Sequence, residues 1–160
     1  MEDISYLTET RFSDLALDER LLSGLTDAGF DFCTKIQAES LPIALTGQDV
    51  AGQAQTGTGK TAAFLLAIFN HLLKNPKPES ATPTSIRSLV LAPTRELAIQ
   101  IHRDAEVLSK STGLKLGLAY GGTDYQQQRK RLPLVSTYSL APLEDSLISI
   151  NRTSSTSKPH

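Results

Sequence analysis

The sequence of 160 residues has one cysteine, one methionine and no tryptophan. Cys33 has no second cysteine to pair with, which excludes a scaffold held together by internal disulfides. No apolar run approaches the roughly 18 to 20 residues of a membrane helix. The N-terminus, MEDISYLTETR, has neither the basic start nor the apolar stretch of a signal peptide. The expectation is a cytoplasmic protein with no membrane partner. At 39% hydrophobic and 21% charged residues the composition is that of an ordinary globular chain, neither collagen-like nor disordered throughout. Its length gives room for about one domain.

A net charge of -1 offers no general attraction for nucleic acid, but the average hides a polarised distribution. Residues 1–31 carry eight acidic and two basic side chains, whereas residues 110–131 carry one acidic and five basic ones, ending in Arg129, Lys130 and Arg131. So small a basic cluster is by itself compatible with a solvated helix face.

Hydrophobic periodicity predicts an amphipathic helix over Leu17 to Ala28, with Leu21, Leu22 and Leu25 on one side, Asp14 or Asp18 near its start and Gly29 as its stop. A second helix is expected from Thr34 to Leu45, kinked or broken at Pro42. Asp49 to Ala54 reads as a short strand, followed by a Gly- and Thr-rich turn and a strongly apolar helix from Lys60 to Leu73. Asn75 to Ser85, with three prolines, reads as a loop. Ser88 to Ala92 suits a strand buried on both faces, and a helix is expected over Glu96 to Ser109. Leu114 to Tyr120 gives a third strand closed by Gly121 and Gly122, and Tyr125 to Leu132 a polar helix. Alternating strands and helices of this kind imply an α/β fold with a parallel sheet and helices on both faces. Of the 28 residues from Pro133 to His160, ten are Ser or Thr, so residues 133–160 read as a disordered tail.

The strongest chemical signal is Ala54-Gln55-Thr56-Gly57-Thr58-Gly59-Lys60-Thr61, placed between an expected strand and an expected helix. Phosphate binding needs successive backbone N–H groups curled into a nest, and Gly57 and Gly59 permit the dihedrals that such a nest requires. It also needs a cation at the outer phosphates, Lys60, and a hydroxyl that ligates Mg²⁺, Thr61. The helix that begins near Lys60 turns its positive end toward the same anion. Elsewhere the signals are weak. His71 and His102 have no Cys or carboxylate partners at metal-ligand spacing, and Cys33 reads as a small packing residue.

AQTGTGKT with Ala54 first, Pro93-Thr94-Arg95-Glu96-Leu97 at the next strand end, and Gly121-Gly122 after the third together resemble the DEAD-box ATP-dependent RNA helicases. Upstream, Phe12 and the stretch from Gly29-Phe30 to Ile36-Gln37 resemble the adenine-recognising Q motif, about residues 10–38. The resemblance covers residues 8–132, and implies that residues 1–132 form part of the first RecA-like P-loop domain, with ATP and Mg²⁺ as cofactors. By that resemblance Gln37 reads the adenine edge, since an amide donates and accepts at once. Phe12 or Phe30 packs near the base, the loop from Ala54 to Thr61 holds the phosphates, and Lys60 and Thr61 carry the catalytic contacts. Pro93, Thr94, Arg95, Gly121 and Gly122 contact the RNA backbone, which explains a grip that reads no sequence. Where this family has Pro before Ile-Gln this chain has Lys35, which leaves the approach to the adenine less rigid. The motif wording points to the bacterial branch tied to the RNA degradosome. That contact is attributed to the second domain, and is not expected of this chain.

No Asp-Glu-Ala-Asp motif occurs in the sequence, and the resemblance does not extend to a second RecA-like domain. Hydrolysis in the family depends on preorganised charge from both, so the chain is expected to be nearly inert as a catalyst. A nucleotide- or RNA-binding module that works without catalysis, and an inactive product of a disrupted gene, are the alternatives. The residues from Val135 to Leu147, VSTYSLAPLEDSL, favour the last. Synonymous codons exist for them that, read from the third base, encode Val-Asp-Ile-Leu-Ile-Gly-Thr-Pro-Gly-Arg-Leu-Ile-Asp. The resemblance identifies that peptide as the family's next RNA-binding segment, and a frameshift near residues 132–134 is the expectation. Loss of the neighbouring strand implies marginal stability and a tendency to aggregate.

Overall fold

The computed structural model describes residues 6–76, 86–119 and 135–139. An antiparallel pair opens the chain, β1 (Leu7–Arg11) against β2 (Phe32–Thr34), with a 3-10 turn at Phe12–Asp14 and helix α1 (Glu19–Asp27) between them. Asp18 caps α1 by accepting from the Arg20 backbone N–H at 3.0 Å, and its carboxylate takes the Arg20 guanidinium at two points, each 2.8 Å. Hydrogen bonding to the Arg20 side chain lowers the Asp18 carboxyl from its usual 3.8 to about 2. A depressed folded-state value contributes stability that is complete above about pH 3.8 and is lost as pH falls toward 2. Denaturation midpoints followed from about pH 5 to pH 2 should therefore fall more steeply for the wild type than for Asp18→Asn, in which the amide still caps the helix. Equal slopes for the two chains would show that the ion pair contributes nothing.

Helix α2 (Lys35–Leu45) runs without interruption through Pro42. The break expected there does not occur, because the proline is exposed and the helix needs only to forgo one internal hydrogen bond. Helix α3 (Lys60–Lys74) is buried continuously from Ala63 to Asn70 and again at Leu72. A helix apolar all round belongs inside, and α3 is the central rod of the core. Its one buried amide is satisfied. Asn70 Oδ1 accepts from the Asp18 N–H at 2.8 Å, and Nδ2 donates to the Ala16 carbonyl at 3.3 Å, which ties the segment before α1 to the rod. Helix α1 crosses α4 (Arg95–Ser109) at Gly24, where an added Cβ would stand 3.0 Å from the Leu108 carbonyl oxygen.

Strands β3 (Leu89–Ala92), β4 (Leu116–Ala119) and β5 (Val135–Ser139) form a parallel sheet in the order β3-β5-β4. The connection from β3 through α4 to β4 thus skips one position, and β5 fills it. The α/β class is as expected, and three details differ from the sequence reading. Residues 49–55 form no strand, because no described strand lies beside them and an unpaired strand has no ladder to hold it. Strand β3 is buried on one face only: Val90 and Ala92 are in the core, while Leu89 and Leu91 are 45% and 41% exposed. Val135–Ser139, assigned to a disordered tail, form the central strand, because pairing on both sides supplies what the local sequence lacks. The helix expected over Tyr125 to Leu132 and the basic cluster at 129–131 lie outside the described residues. Among the described residues no helix is long and apolar enough to cross a membrane.

Candidate nucleotide and RNA site

The loop from Ala54 to Gly59 leads directly into α3, whose first residue is Lys60. Gly57 and Gly59 adopt φ of 84° and 90°, the left-handed region that a side chain resists. Thr58 Oγ1 donates to the Gln55 carbonyl at 2.7 Å and closes the loop on itself. The Lys60 ammonium is folded back into the same ring of carbonyls, donating to Gln55 O at 2.6 Å and to Ala54 O. The loop opens into a 15-residue helix with Lys60 and the Thr61 hydroxyl in its first turn, and the N-terminus of a helix favours negative charge. Three negatively charged phosphate oxygens would offer Lys60 a stronger partner than two neutral carbonyls.

Gln37, distant in sequence, reaches this loop. Its side chain is 5% exposed, with Oε1 accepting from the Thr34 N–H at 2.9 Å and Nε2 donating to the Gly59 carbonyl at 3.1 Å. The amide therefore fastens the start of α2 to the end of the phosphate loop. The packing leaves no room for a side chain at residue 59: an ideal Cβ there would lie 2.4 Å from Gln37 Nε2 and 3.1 Å from Thr34 Oγ1. Thr34 Oγ1 is buried and has no hydrogen-bond partner among the described residues. This hydroxyl was missed in the sequence, although its place at the N-cap of α2, three residues before Gln37, is the signal that finds it. Ile36 packs toward the segment leading into the loop, its Cδ1 3.5 Å from where a Cβ on Gly52 would be.

The two phenylalanines differ. Phe12 is 3% exposed and belongs to the core, its N–H donating to the Asp31 carbonyl at 3.1 Å. Phe30 is 51% exposed. Both line a cavity of about 80 Å³ together with Arg11, Ser13 and Asp31, and no phosphate-loop residue lines it. The Arg11 guanidinium sits over the Phe32 ring, 4.4 Å from its centre.

Pro93 and Thr94 join the carboxyl end of β3 to α4, and Arg95 is the first residue of that helix. Thr94 Oγ1 caps it by accepting from the Leu97 N–H at 3.2 Å, and Thr94, Arg95 and Glu96 are all exposed. A cation at the carboxyl ends of parallel strands is placed where ligands of open α/β sheets bind. Gly121 and Gly122 lie outside the described residues. His102 Nε2 is 3.6 Å from Glu106 Oε1, and His71 Nδ1 is 3.2 Å from the Asn75 amide. The Cys33 thiol is buried and pushed up to about 11 by desolvation, so it is not a nucleophile. Among the described residues there is no group of three His, Cys, Asp or Glu that could hold a metal ion.

A family model described as DEAD/DEAH box helicase matches residues 34–152, which spans Gln37, the phosphate loop and the Pro93–Arg95 corner. The chain belongs to this family. It is 59% identical over 128 residues to the ATP-dependent RNA helicase RhlB of Psychromonas ingrahamii, covering 80% of this chain and 31% of that protein. Against RhlB of Erwinia tasmaniensis the identity is also 59% over 128 residues, covering 80% of this chain and 30% of that one. Among solved structures, that of a DEAD box protein from the hyperthermophile Methanococcus jannaschii matches with a TM-score of 0.69 at 30% identity. It covers 86% of this chain and 35% of that one. The chain thus spans about a third of the length of the family members it matches.

Proposed function

We propose that the chain carries the nucleotide-binding and part of the RNA-binding machinery of an ATP-dependent RNA helicase. The observation that supports this most is the hydrogen bond from Gln37 Nε2 to Gly59 O, which fastens the glutamine to the loop. With both ends of its amide held inside the protein, Gln37 positions that loop rather than reading the adenine edge. In this reading the loop N–H groups and Lys60 hold the outer phosphates, Phe30 lies beside the adenine, and Thr61 Oγ1 would hold Mg²⁺. The metal, when bound, supplies charge neutralisation between the phosphates. To bind, Lys60 exchanges the Ala54 and Gln55 carbonyls for phosphate oxygens, and the orphaned Thr34 hydroxyl lies ready as a further donor. Pro93, Thr94, Arg95, Gly121 and Gly122 take RNA phosphates, giving a grip without base readout. A cytoplasmic location goes with this reading, and a degradosome contact does not.

Hydrolysis by this chain is expected to be nearly absent, because no Asp-Glu-Ala-Asp sequence is present to position the attacking water. Equilibrium titration with Mg-ATP, paired with an ATPase assay with and without RNA, tests the proposal. Saturable ATP binding, weakened about tenfold or more by Lys60→Ala and accompanied by no RNA-stimulated turnover, is the expected result. A folded chain that binds no ATP, or a Lys60→Ala variant that binds as well as the wild type, would overturn it.

A further inference from the structure

We infer that Arg11 is a base-stacking residue of the nucleotide site: its guanidinium, laid over the Phe32 ring, offers its other face to the base of a bound nucleoside triphosphate. This role presupposes the nucleotide site proposed above and names what holds the base in it. Both ends of the Gln37 amide are taken up by the Thr34 N–H and the Gly59 carbonyl, which leaves the base to other side chains. The strand register points to one. Arg11 on β1 pairs with Phe32 on β2, and cross-strand partners present their side chains on the same face. The guanidinium accordingly sits 4.4 Å from the Phe32 ring centre. Residues two apart on a strand also share a face, roughly 6.6 Å from one another, so Thr34 lies on this face one step beyond Phe32. Thr34 Oγ1 is the atom that approaches residue 59 of the phosphate loop, 3.1 Å from where a Cβ would be. The Arg11–Phe32 stack therefore stands one strand step from the contact with the loop, on the face that makes it.

Arg11 is suited to a base rather than to a structural ion pair. Its side chain is exposed. Asp31 lines the same cavity, yet among the described residues no carboxylate lies within salt-bridge distance of the guanidinium. Asp14 Oδ2 accepts from the backbone N–H of Arg11 at 3.2 Å, which fixes the main chain and leaves the side chain uncommitted. The exposed Phe30 lines this cavity as well, so a planar group that enters beside Arg11 also meets an aromatic ring. A guanidinium is planar, permanently charged and weakly hydrated, so it stacks on aromatic faces as a lysine ammonium does not. Stacking engages the face of a base and not its edge. The contact therefore favours nucleotides over inorganic phosphates without choosing among purines.

Titration of the full chain and its variants with Mg-ATP, Mg-GTP and Mg-tripolyphosphate separates base contacts from phosphate contacts. Arg11→Ala is expected to weaken ATP and GTP alike, by about three- to tenfold, and to leave tripolyphosphate within about twofold. Phe32→Leu, which removes the ring beneath the guanidinium, is expected to show the same kind of loss. Arg11→Lys keeps the charge but not the plane, and is expected to recover less than about half of it. Retained tripolyphosphate binding shows that the loop of each variant is still folded. Unchanged ATP affinity in Arg11→Ala, an equal loss for tripolyphosphate, a loss confined to ATP, or full recovery by Arg11→Lys overturns the assignment. A wild-type chain that binds none of the three overturns the nucleotide site itself, and the role of Arg11 with it.

Discussion

Gly59→Ala is expected to weaken Mg-ATP binding by more than about a hundredfold and to lower stability by about 3 kcal/mol, where Gly57→Ala costs about 1–2 kcal/mol of stability. Both glycines have positive φ, 90° and 84°, so both variants carry the strain of a left-handed alanine. They differ in what the new methyl meets. At residue 57 nothing lies within 4 Å, whereas at residue 59 the methyl would stand 2.4 Å from Gln37 Nε2. Gln37 is buried and must move, breaking its bonds to Gly59 O and to the Thr34 N–H. Each broken bond adds about 1 kcal/mol to the strain in the stability ledger, and the loss of affinity follows separately from a loop that no longer presents its N–H groups to the phosphates. Isothermal titration and urea denaturation on the two variants separate the contributions. Equal losses at 57 and 59 would mean that the contact with Gln37 has no energetic weight.

The second large effect is expected at Phe69. Its ring is 1% exposed in the middle of α3, within the cluster that joins Leu21, Leu25, Leu41 and Ile101. Phe69→Ala removes the ring and leaves a cavity, at a typical cost of about 3–5 kcal/mol. Against a total of about 5–15 kcal/mol for a domain, and with one face of β3 left exposed, that is enough to abolish cooperative unfolding near 37 °C. Phe30→Ala, at a residue 51% exposed, is expected to stay within about 1 kcal/mol. Circular dichroism during urea titration distinguishes them. A Phe69→Ala midpoint close to that of Phe30→Ala would refute the placement of α3 as the central rod.

Much of this was legible in advance where the signal is local. The expected bounds of α1, α2, α3 and α4 lie within two residues of the observed ones, because apolar spacing and the cap at Asp18 are local signals. The phosphate loop was legible because glycine, lysine and threonine at fixed spacing leave few other interpretations. Strands were less legible, since a strand is stabilised by partners far away in the chain. Asp49 to Ala54 has strand-like composition but no described neighbour, and Val135–Ser139 has weak composition but two neighbours. The pair formed by β1 and β2 escaped notice for the same reason: β2 has only three residues and is held by β1 across the whole of α1.

Sequence by itself determined the α/β class, the family resemblance and the residues of the loop, because backbone dihedrals, charge and hydrophobic period are properties of short segments. Tertiary structure alone decided that Phe12 is core and Phe30 exposed, that Thr34 Oγ1 beside Gly59 has no hydrogen-bond partner among the described residues, and that Gln37 spends both ends of its amide inside the protein. Each of these depends on which atoms from distant segments share a volume, and only packing sets that.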